Sequence, residues 1–133
     1  MKNNINKTIK ENKIIRFIIV GGSSTCIDFI IYMLLSQLIS LTISKLISMT
    51  ISCTYSFFIN RNWTFEDKNT NAISQIPKYI LSQGFNIATN VIVNQIIFTL
   101  TNEKVISYFC ATVSAMVVNY LLQKNIVFKG SNK

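Results

Sequence analysis

The chain has 133 residues, of which 50% are hydrophobic and 14% are charged, and its 13 Lys and Arg against 5 Asp and Glu give a net charge of +8. A soluble domain normally has about 25% charged residues, so this composition, with a mean hydropathy of +0.38, disfavours an ordinary soluble globule. Long uncharged stretches disfavour a nucleic-acid-binding protein, and the absence of His removes the commonest general base and metal ligand.

The first 15 residues form a basic arm, in which Ile5, Ile9 and Ile14 are separated by Lys and Asn residues. This pattern is compatible with a short amphipathic helix on the inner leaflet, where anionic lipid attracts each cation by about 1 kcal/mol. It is equally compatible with a disordered segment. The sequence leaves both interpretations open.

Four stretches almost without charge follow the arm. A bilayer core of about 30 Å needs about 20 mainly apolar residues. We therefore predict an all-α membrane protein with four transmembrane helices, near residues 17–38, 43–60, 79–100 and 105–123. A soluble four-helix bundle would carry charges on one face of every helix, whereas the stretch from Tyr79 to Asn102 carries none.

The positive charges predict the orientation of these helices. The arm together with Arg16 directly after it, the connection between the second and third helices and the C-terminal segment hold 11 of the 13 Lys and Arg residues, whereas the two tight turns hold only Lys45 and Lys104. By the positive-inside rule, the middle connection and both termini, including a tail of residues 130–133, face the cytoplasm. Trp63 and Phe65 are then expected at the inner membrane interface as aromatic anchors.

The chain contains a weak internal repeat with a period of 63 residues, which pairs Arg61 with Lys124 and Phe65 with Phe128. The second and fourth predicted helices also carry the same stripe of small and polar residues at every fourth position. Small residues at this spacing allow close helix packing in lipid, and two hairpins that run in the same direction predict parallel repeats. The stripe consists of Ser44, Ser48, Ser52, Ser56 and Asn60 in the second helix and of Ser107, Ala111, Ala115, Asn119 and Gln123 in the fourth.

Polar residues inside the predicted spans are candidates for function. Asp28 is expected near the middle of the first span, where insertion scales assign a charged residue about 2.5–3.5 kcal/mol. The third span presents Asn86, Asn90 and Asn94 on one face. Either these groups satisfy one another between helices, or they line a polar groove, which is the interpretation that we favour. Amides suit a neutral, hydroxyl-rich ligand because they both donate and accept hydrogen bonds.

The inner ends of the second and fourth helices combine amides with a cation, Arg61 in the first half and Lys124 in the second. Such cations suit a phosphate, Arg through a bidentate fork and Lys as a point charge. No paired carboxylates, no nucleophile with a general base and no phosphate-binding Gly loop occur, so we predict no enzymatic activity, no cofactor and no metal site. The candidate binding residues are therefore Asp28, Asn60, Arg61, Asn86, Asn90, Asn94, Asn119, Gln123 and Lys124.

Some of these residues belong to a longer pattern. It consists of Arg16-Phe17, Val20-Gly21, Thr25 and Asp28 in the first helix and of Phe57-x-x-Asn60-Arg61-x-Trp63-Thr64-Phe65 after the second. On these residues the chain resembles the GtrA-like family of small bacterial membrane proteins, over residues 16–129. The second half repeats the pattern more weakly, because Gln123, Lys124 and Ile126 stand where it usually has Asn, Arg and Trp.

The resemblance implies a four-helix, multi-pass protein of the bacterial cytoplasmic membrane. It implies translocation of a polyprenyl-phosphate-linked monosaccharide for cell-wall or surface polysaccharide, with membrane lipid and a membrane-associated glycosyltransferase as partners. The small volume that a bundle of 133 residues encloses leaves a homodimer open. Applied to this sequence, it predicts that Arg61, helped by Lys124, captures the phosphate. Asp28, Asn90 and Asn94 are then expected to guide the sugar.

Two other functions are considered. Proton-coupled small multidrug exporters also have four short spans with one acidic residue in the first. The 11 to 2 distribution of cations and the N-R-x-W-T-F segment disfavour that class. A non-transporting membrane anchor for a glycosyltransferase is the second alternative.

Overall fold

The computed structural model describes residues 1–132, and over this range the chain is helical with no strand. Lys133, the last residue of the predicted tail, lies outside the described residues. A five-residue π turn follows both α3 and α5, and a short 3-10 turn, Lys129–Asn132, ends the described range. The helices are α1 (Lys2–Glu11), α2 (Lys13–Leu35), α3 (Leu41–Ile59), α4 (Ala72–Thr101) and α5 (Lys104–Leu122), and the π turns are Asn60–Thr64 and Gln123–Val127.

The chain divides into two compact units, Met1–Glu66 and Asp67–Lys133. The first unit contains the hairpin of α2 and α3, and the second contains the hairpin of α4 and α5. A shift of 63 residues superimposes the boundaries of α3 on those of α5 and the first π turn on the second, residue for residue. The repeat that the sequence predicts is therefore also present in the helix boundaries.

All four long helices begin earlier than predicted, and the two largest differences are at α2 and α4, where an Asn side chain caps the helix start. Asn12 accepts a hydrogen bond from the backbone of Ile14 at the start of α2, and Asn71 accepts one from Ile73 at the start of α4. Such a cap satisfies a backbone donor that the first helical turn leaves free. The predicted start of α4 at residue 79 is wrong by seven residues, since the helix continues through the charged Lys78.

In the basic arm, α1 is helical, which is one of the two structures that the sequence leaves open. Two segments of the described chain are long and apolar enough to cross a membrane, α2 and the region Lys104–Val127. The helices α3 and α4 are long as well, but their hydroxyl and amide side chains lower their hydropathy. The four-span arrangement and its orientation therefore stay predictions.

Small residues are buried in these helices, and large apolar residues are exposed. Ser44, Ser48 and Ser52 of α3 are buried, and Ser24 of α2 donates a hydrogen bond of 2.9 Å to the backbone oxygen of Ser52. This contact ties the two helices of the first unit at close range, as small residues allow. Much of the exposed area is apolar, including Phe29, Leu34, Leu46, Phe85, Val91 and Phe109. Such a surface is typical of helices that face lipid.

Candidate functional site

The first unit contains an ion pair between its two long helices. Lys45 Nζ of α3 lies 2.5 Å from Asp28 Oδ2 of α2, and Ser48 Oγ donates a hydrogen bond of 2.7 Å to Asp28 Oδ1. Lys45 and Ser48 are three residues apart and share one face of α3. Both oxygens of the carboxylate are therefore engaged by the neighbouring helix.

This ion pair borders an open groove of about 710 Å³ between α2 and α3. The Lys45 ammonium also lies 5.7 Å from the centre of the Tyr32 ring, within the range of a cation–π interaction. The remaining lining residues combine hydroxyl groups with large apolar side chains, and they are Thr25, Phe29, Leu41, Thr42 and Leu46. The lining of the groove thus combines an ion pair and hydroxyl groups with large apolar side chains.

Asp28 does not stand alone, because Lys45 neutralises it, and its depth in the membrane stays a prediction. Asp28 lies fifteen residues after the start of α2 but only seven before its end at Leu35, so it is closer to the hairpin turn. The sequence analysis missed Lys45 as its partner. The hairpin itself carries a signal, because Asp28 and Ser48 are equally distant from the middle of the turn between Leu35 and Leu41.

Arg16 forms a second polar cluster in the first unit, where it is only 6% exposed. Its guanidinium donates hydrogen bonds to the backbone oxygens of Trp63 (2.5 Å) and Ile9 (3.1 Å) and to Glu66 Oε1 (2.6 Å). It also stacks over the Trp63 ring at 5.7 Å. This single side chain therefore joins α1, α2 and the segment after α3.

The first π turn holds several predicted site residues. Asn60 is buried, and its side chain accepts from Thr64 Oγ1 at 2.8 Å. Arg61 is half-buried and donates to Asn62 Oδ1 at 3.2 Å. The aromatic residues of this region differ from each other: the Trp63 side chain keeps exposed area, whereas Phe65 is 1% exposed.

Burial of Phe65 changes what its ring can contact. The ring packs against Phe17 of α2, with 6.2 Å between the two ring centres. The expected anchor at the membrane interface is thus an internal packing residue here. Trp63 alone of the two keeps the exposed ring area that an interface anchor needs.

The second unit places its predicted residues at the end of α5 and along α4. Asn119 and Gln123 are buried and hydrogen-bonded to each other at 3.1 Å. Lys124 is half-buried, with its ammonium 6.0 Å from the centre of the Tyr120 ring. The half-buried amides on α4 have no hydrogen bond within residues 1–132, and they are Asn86, Asn90 and Asn94. The predicted residues thus fall into two separate sets, one in each unit.

The sequence analysis missed a buried carboxylate in the second unit. Asp67 is 1% exposed and accepts hydrogen bonds from Thr70 Oγ1 (2.8 Å), Gln75 Nε2 (2.8 Å) and the backbone of Gly130 (3.2 Å). A Cβ at Gly130 would approach Thr70 Oγ1 to 2.6 Å and would also collide with the Asp67 carboxylate. Gly130 is therefore needed for the close approach of the C-terminal segment.

Comparison with known families identifies the class of protein. The family described as GtrA/DPMS, transmembrane domain, matches residues 16–132, which is most of the chain. This match confirms the resemblance found in the sequence. The family consists of membrane proteins that are generally non-catalytic, and it is associated with the translocation of lipid-linked sugars. The chain, with its two helical hairpins, belongs to the GtrA/DPMS transmembrane-domain family.

Proposed function

We propose that this protein crosses the bacterial cytoplasmic membrane four times, with both termini inside, and translocates a polyprenyl-phosphate-linked monosaccharide for cell-wall or surface polysaccharide. The family match supports the class of substrate. The protein acts beside a membrane-associated glycosyltransferase that loads the lipid on the inner face. It performs no catalysis of its own.

The groove of the first unit is the observation that carries this proposal. A lipid-linked sugar has an apolar chain, an anionic phosphate and a hydroxyl-rich headgroup, and a site for it must accommodate all three. The groove is lined by the apolar side chains of Phe29, Leu41 and Leu46. The Lys45 ammonium and residues with hydroxyl groups also line it. Isolated polar groups are costly in lipid, so a groove of this composition is a candidate binding site.

The predicted residues divide by chemistry. Arg61, helped by Lys124, captures the phosphate near the inner face, since a guanidinium matches phosphate oxygens in a bidentate geometry. The amides of Asn86, Asn90 and Asn94 contact the sugar, which is supported by their partial exposure. Asp28, which lies in the groove of the first unit, guides the sugar together with these amides, and the hydrogen-bonded amides at the helix ends are further candidate contacts. These last amides are Asn60, Asn119 and Gln123.

A proton-coupled drug exporter fits this structure less well. Such an exporter needs a membrane carboxylate that exchanges protons for a cationic drug. Here the Asp28 carboxylate is already neutralised by Lys45 and held by Ser48. A cationic ligand would have to displace a cation of the protein itself, which makes an anionic ligand the better match for this groove.

Removal of the inner cation tests the proposed translocation. We expect Arg61→Ala to slow transfer of a lipid-linked sugar across proteoliposome membranes about tenfold, which corresponds to about 1.4 kcal/mol of lost phosphate binding. The measurement is the fraction of labelled lipid that becomes accessible to a membrane-impermeant reagent. The exposed Lys68 serves as a matched control, because Lys68→Ala removes a nearby cation outside the proposed path. Equal transfer by wild type and Arg61→Ala would refute this assignment.

The amide face of α4 separates translocation from the anchor function. We expect the combined variant Asn86→Leu, Asn90→Leu and Asn94→Leu to lose most translocation, because the sugar would then lack hydrogen-bonding partners. Recruitment of the glycosyltransferase should remain, as measured by co-purification from membranes. Val91→Leu, on an exposed position of the same helix, is the control. An anchor would instead keep normal surface glycan in the triple variant.

A further inference from the structure

We propose that Lys45 is a second phosphate-binding residue of the first unit and that Asp28 is its internal counter-ion, which occupies the ammonium while the groove is empty. The phosphate of the lipid displaces the carboxylate when it enters. This inference rests on the proposed function for the class of lipid. It assigns to the ion pair a role in selecting anionic headgroups over neutral ones.

Lys45 is more exposed than Asp28, so an incoming ligand reaches the Lys45 ammonium before the carboxylate. The Lys45 side chain is 48% exposed, whereas that of Asp28 is 19% exposed. The Ser48 hydroxyl contacts Asp28 Oδ1, and the same hydroxyl contacts the backbone oxygen of Lys45 at 3.1 Å. A ligand in the groove therefore meets the ammonium first, and the carboxylate keeps one partner when the long Lys side chain moves.

The surroundings of Lys45 complete a site for a phosphate with an attached chain. An ammonium has three donors, of which Asp28 takes one. The hydroxyls of Tyr32 and Thr42 line the groove and have no hydrogen bond in the described part of the chain. Phosphate oxygens can accept from these donors, while Phe29 contacts the chain.

Exchange of one anion for another explains the selectivity. A cation left alone in an apolar groove is costly, so Lys45 must have an anionic partner at every stage. A phosphate provides that charge and can replace the carboxylate. A neutral headgroup does not provide it, and it would leave the ion pair closed.

Lys45 and Arg61, the two proposed phosphate-binding residues of the first unit, lie near opposite ends of α3. Lys45 lies near the start of α3, and Arg61 lies in the π turn that continues from its end. Sixteen residues of helix separate them, which is about 24 Å at 1.5 Å per residue. That distance approaches the thickness of a bilayer core, about 30 Å. The first unit therefore carries one cation for the phosphate near each end of the same helix.

Binding of short amphiphiles to the full chain tests the inference. The probes are decyl phosphate and decyl glucoside, titrated into purified protein in nanodiscs of zwitterionic lipid. We expect Lys45→Met, which keeps the apolar stem, to weaken decyl phosphate binding about tenfold, or about 1.4 kcal/mol. Asp28→Asn should strengthen it several-fold, because the competing charge is gone. Decyl glucoside binding should stay within twofold in both variants.

Lys104 provides the matched control, because it is an exposed Lys at the start of the second helix of the other hairpin. Lys104→Met should bind both probes like the wild type. The inference is overturned if Lys45→Met and Asp28→Asn both bind decyl phosphate within twofold of the wild type, or if Lys45→Met weakens both probes equally. Asp28→Asn gives an independent answer should Lys45→Met fail to fold, since it predicts a gain and not a loss.

A parallel translocation assay keeps this result separate from the proposed function. Wild-type protein that moves a lipid-linked sugar while the Lys45 variant binds decyl phosphate normally would overturn only the role of Lys45. Wild-type protein that binds decyl phosphate through Lys45 but moves no lipid would overturn the proposed function.

Discussion

Arg16→Ala is expected to lower the free energy of unfolding by about 3 kcal/mol. The Arg16 side chain is nearly buried and donates to two backbone oxygens, those of Ile9 and Trp63. Truncation leaves both acceptors without this donor and removes the stacking on the Trp63 ring. Titration of the purified protein from mild detergent into denaturing detergent, followed by circular dichroism, measures the change.

Two control variants separate the buried contacts of Arg16 from its charge. Glu66 is 61% exposed, so Glu66→Gln should cost less than about 1 kcal/mol because it weakens a solvent-exposed pair and keeps an acceptor. Lys7→Ala removes an exposed cation of the same unit and should also cost little. An Arg16→Ala cost no larger than that of Glu66→Gln would contradict the argument.

Asp67→Ala is expected to destabilise the second unit by about 3 kcal/mol. The buried carboxylate accepts from Gln75, which is itself fully buried, and from the backbone of Gly130. Without it, the buried Gln75 amide and the half-buried backbone N–H of Gly130 lose this acceptor, and a buried donor that loses an acceptor costs about 1–3 kcal/mol. The same detergent titration gives the change, and proteolysis should release the C-terminal segment earlier.

Gly130→Ala tests the packing around the Asp67 carboxylate without removing any of its hydrogen bonds. It keeps every hydrogen-bonding group but adds a Cβ where Asp67 and Thr70 leave no space. Gly84→Ala is the matched control in the same unit, since a Cβ there meets nothing within 4 Å.

Glu103→Ala, the control for Asp67→Ala, removes an exposed acid and should change stability by less than about 0.5 kcal/mol. Equal costs for Asp67→Ala and Glu103→Ala would disprove the stabilising role of the buried Asp67 carboxylate.

Hydropathy and charge predict much of the fold. The predicted boundaries of α2, α3 and α5 lie within four residues of those observed, because apolar periodicity and the loss of charge coincide there. The start of α4 differs from the prediction, because the charged Lys78 ends the uncharged stretch but does not end the helix. Local capping by Asn71 determines that end, and hydropathy does not report it.

The candidate site was predicted only in part. Asp28 was found because a charge in an apolar stretch is costly, but its partner Lys45 was assigned to the outer turn. Arg16 belongs to the family pattern, but the local sequence does not indicate the contacts of Arg16 or the burial of Asp67. Their hydrogen-bond partners lie far away in sequence, 47 residues away for Trp63 and 63 for Gly130. Such pairs depend on tertiary packing, which a local pattern does not contain.

The two π turns bear on the evolutionary origin of the two hairpins. In each, the backbone N–H five residues on donates to the first residue, from Phe65 to Asn60 and from Phe128 to Gln123, both at 2.8 Å. A turn of this kind holds one more residue than an α-helical turn, as a single-residue insertion would produce. The same insertion at the same register in both halves is explained most simply by one event that preceded gene duplication. We infer that the ancestor was a single hairpin and that its π turn is older than the present two-hairpin chain.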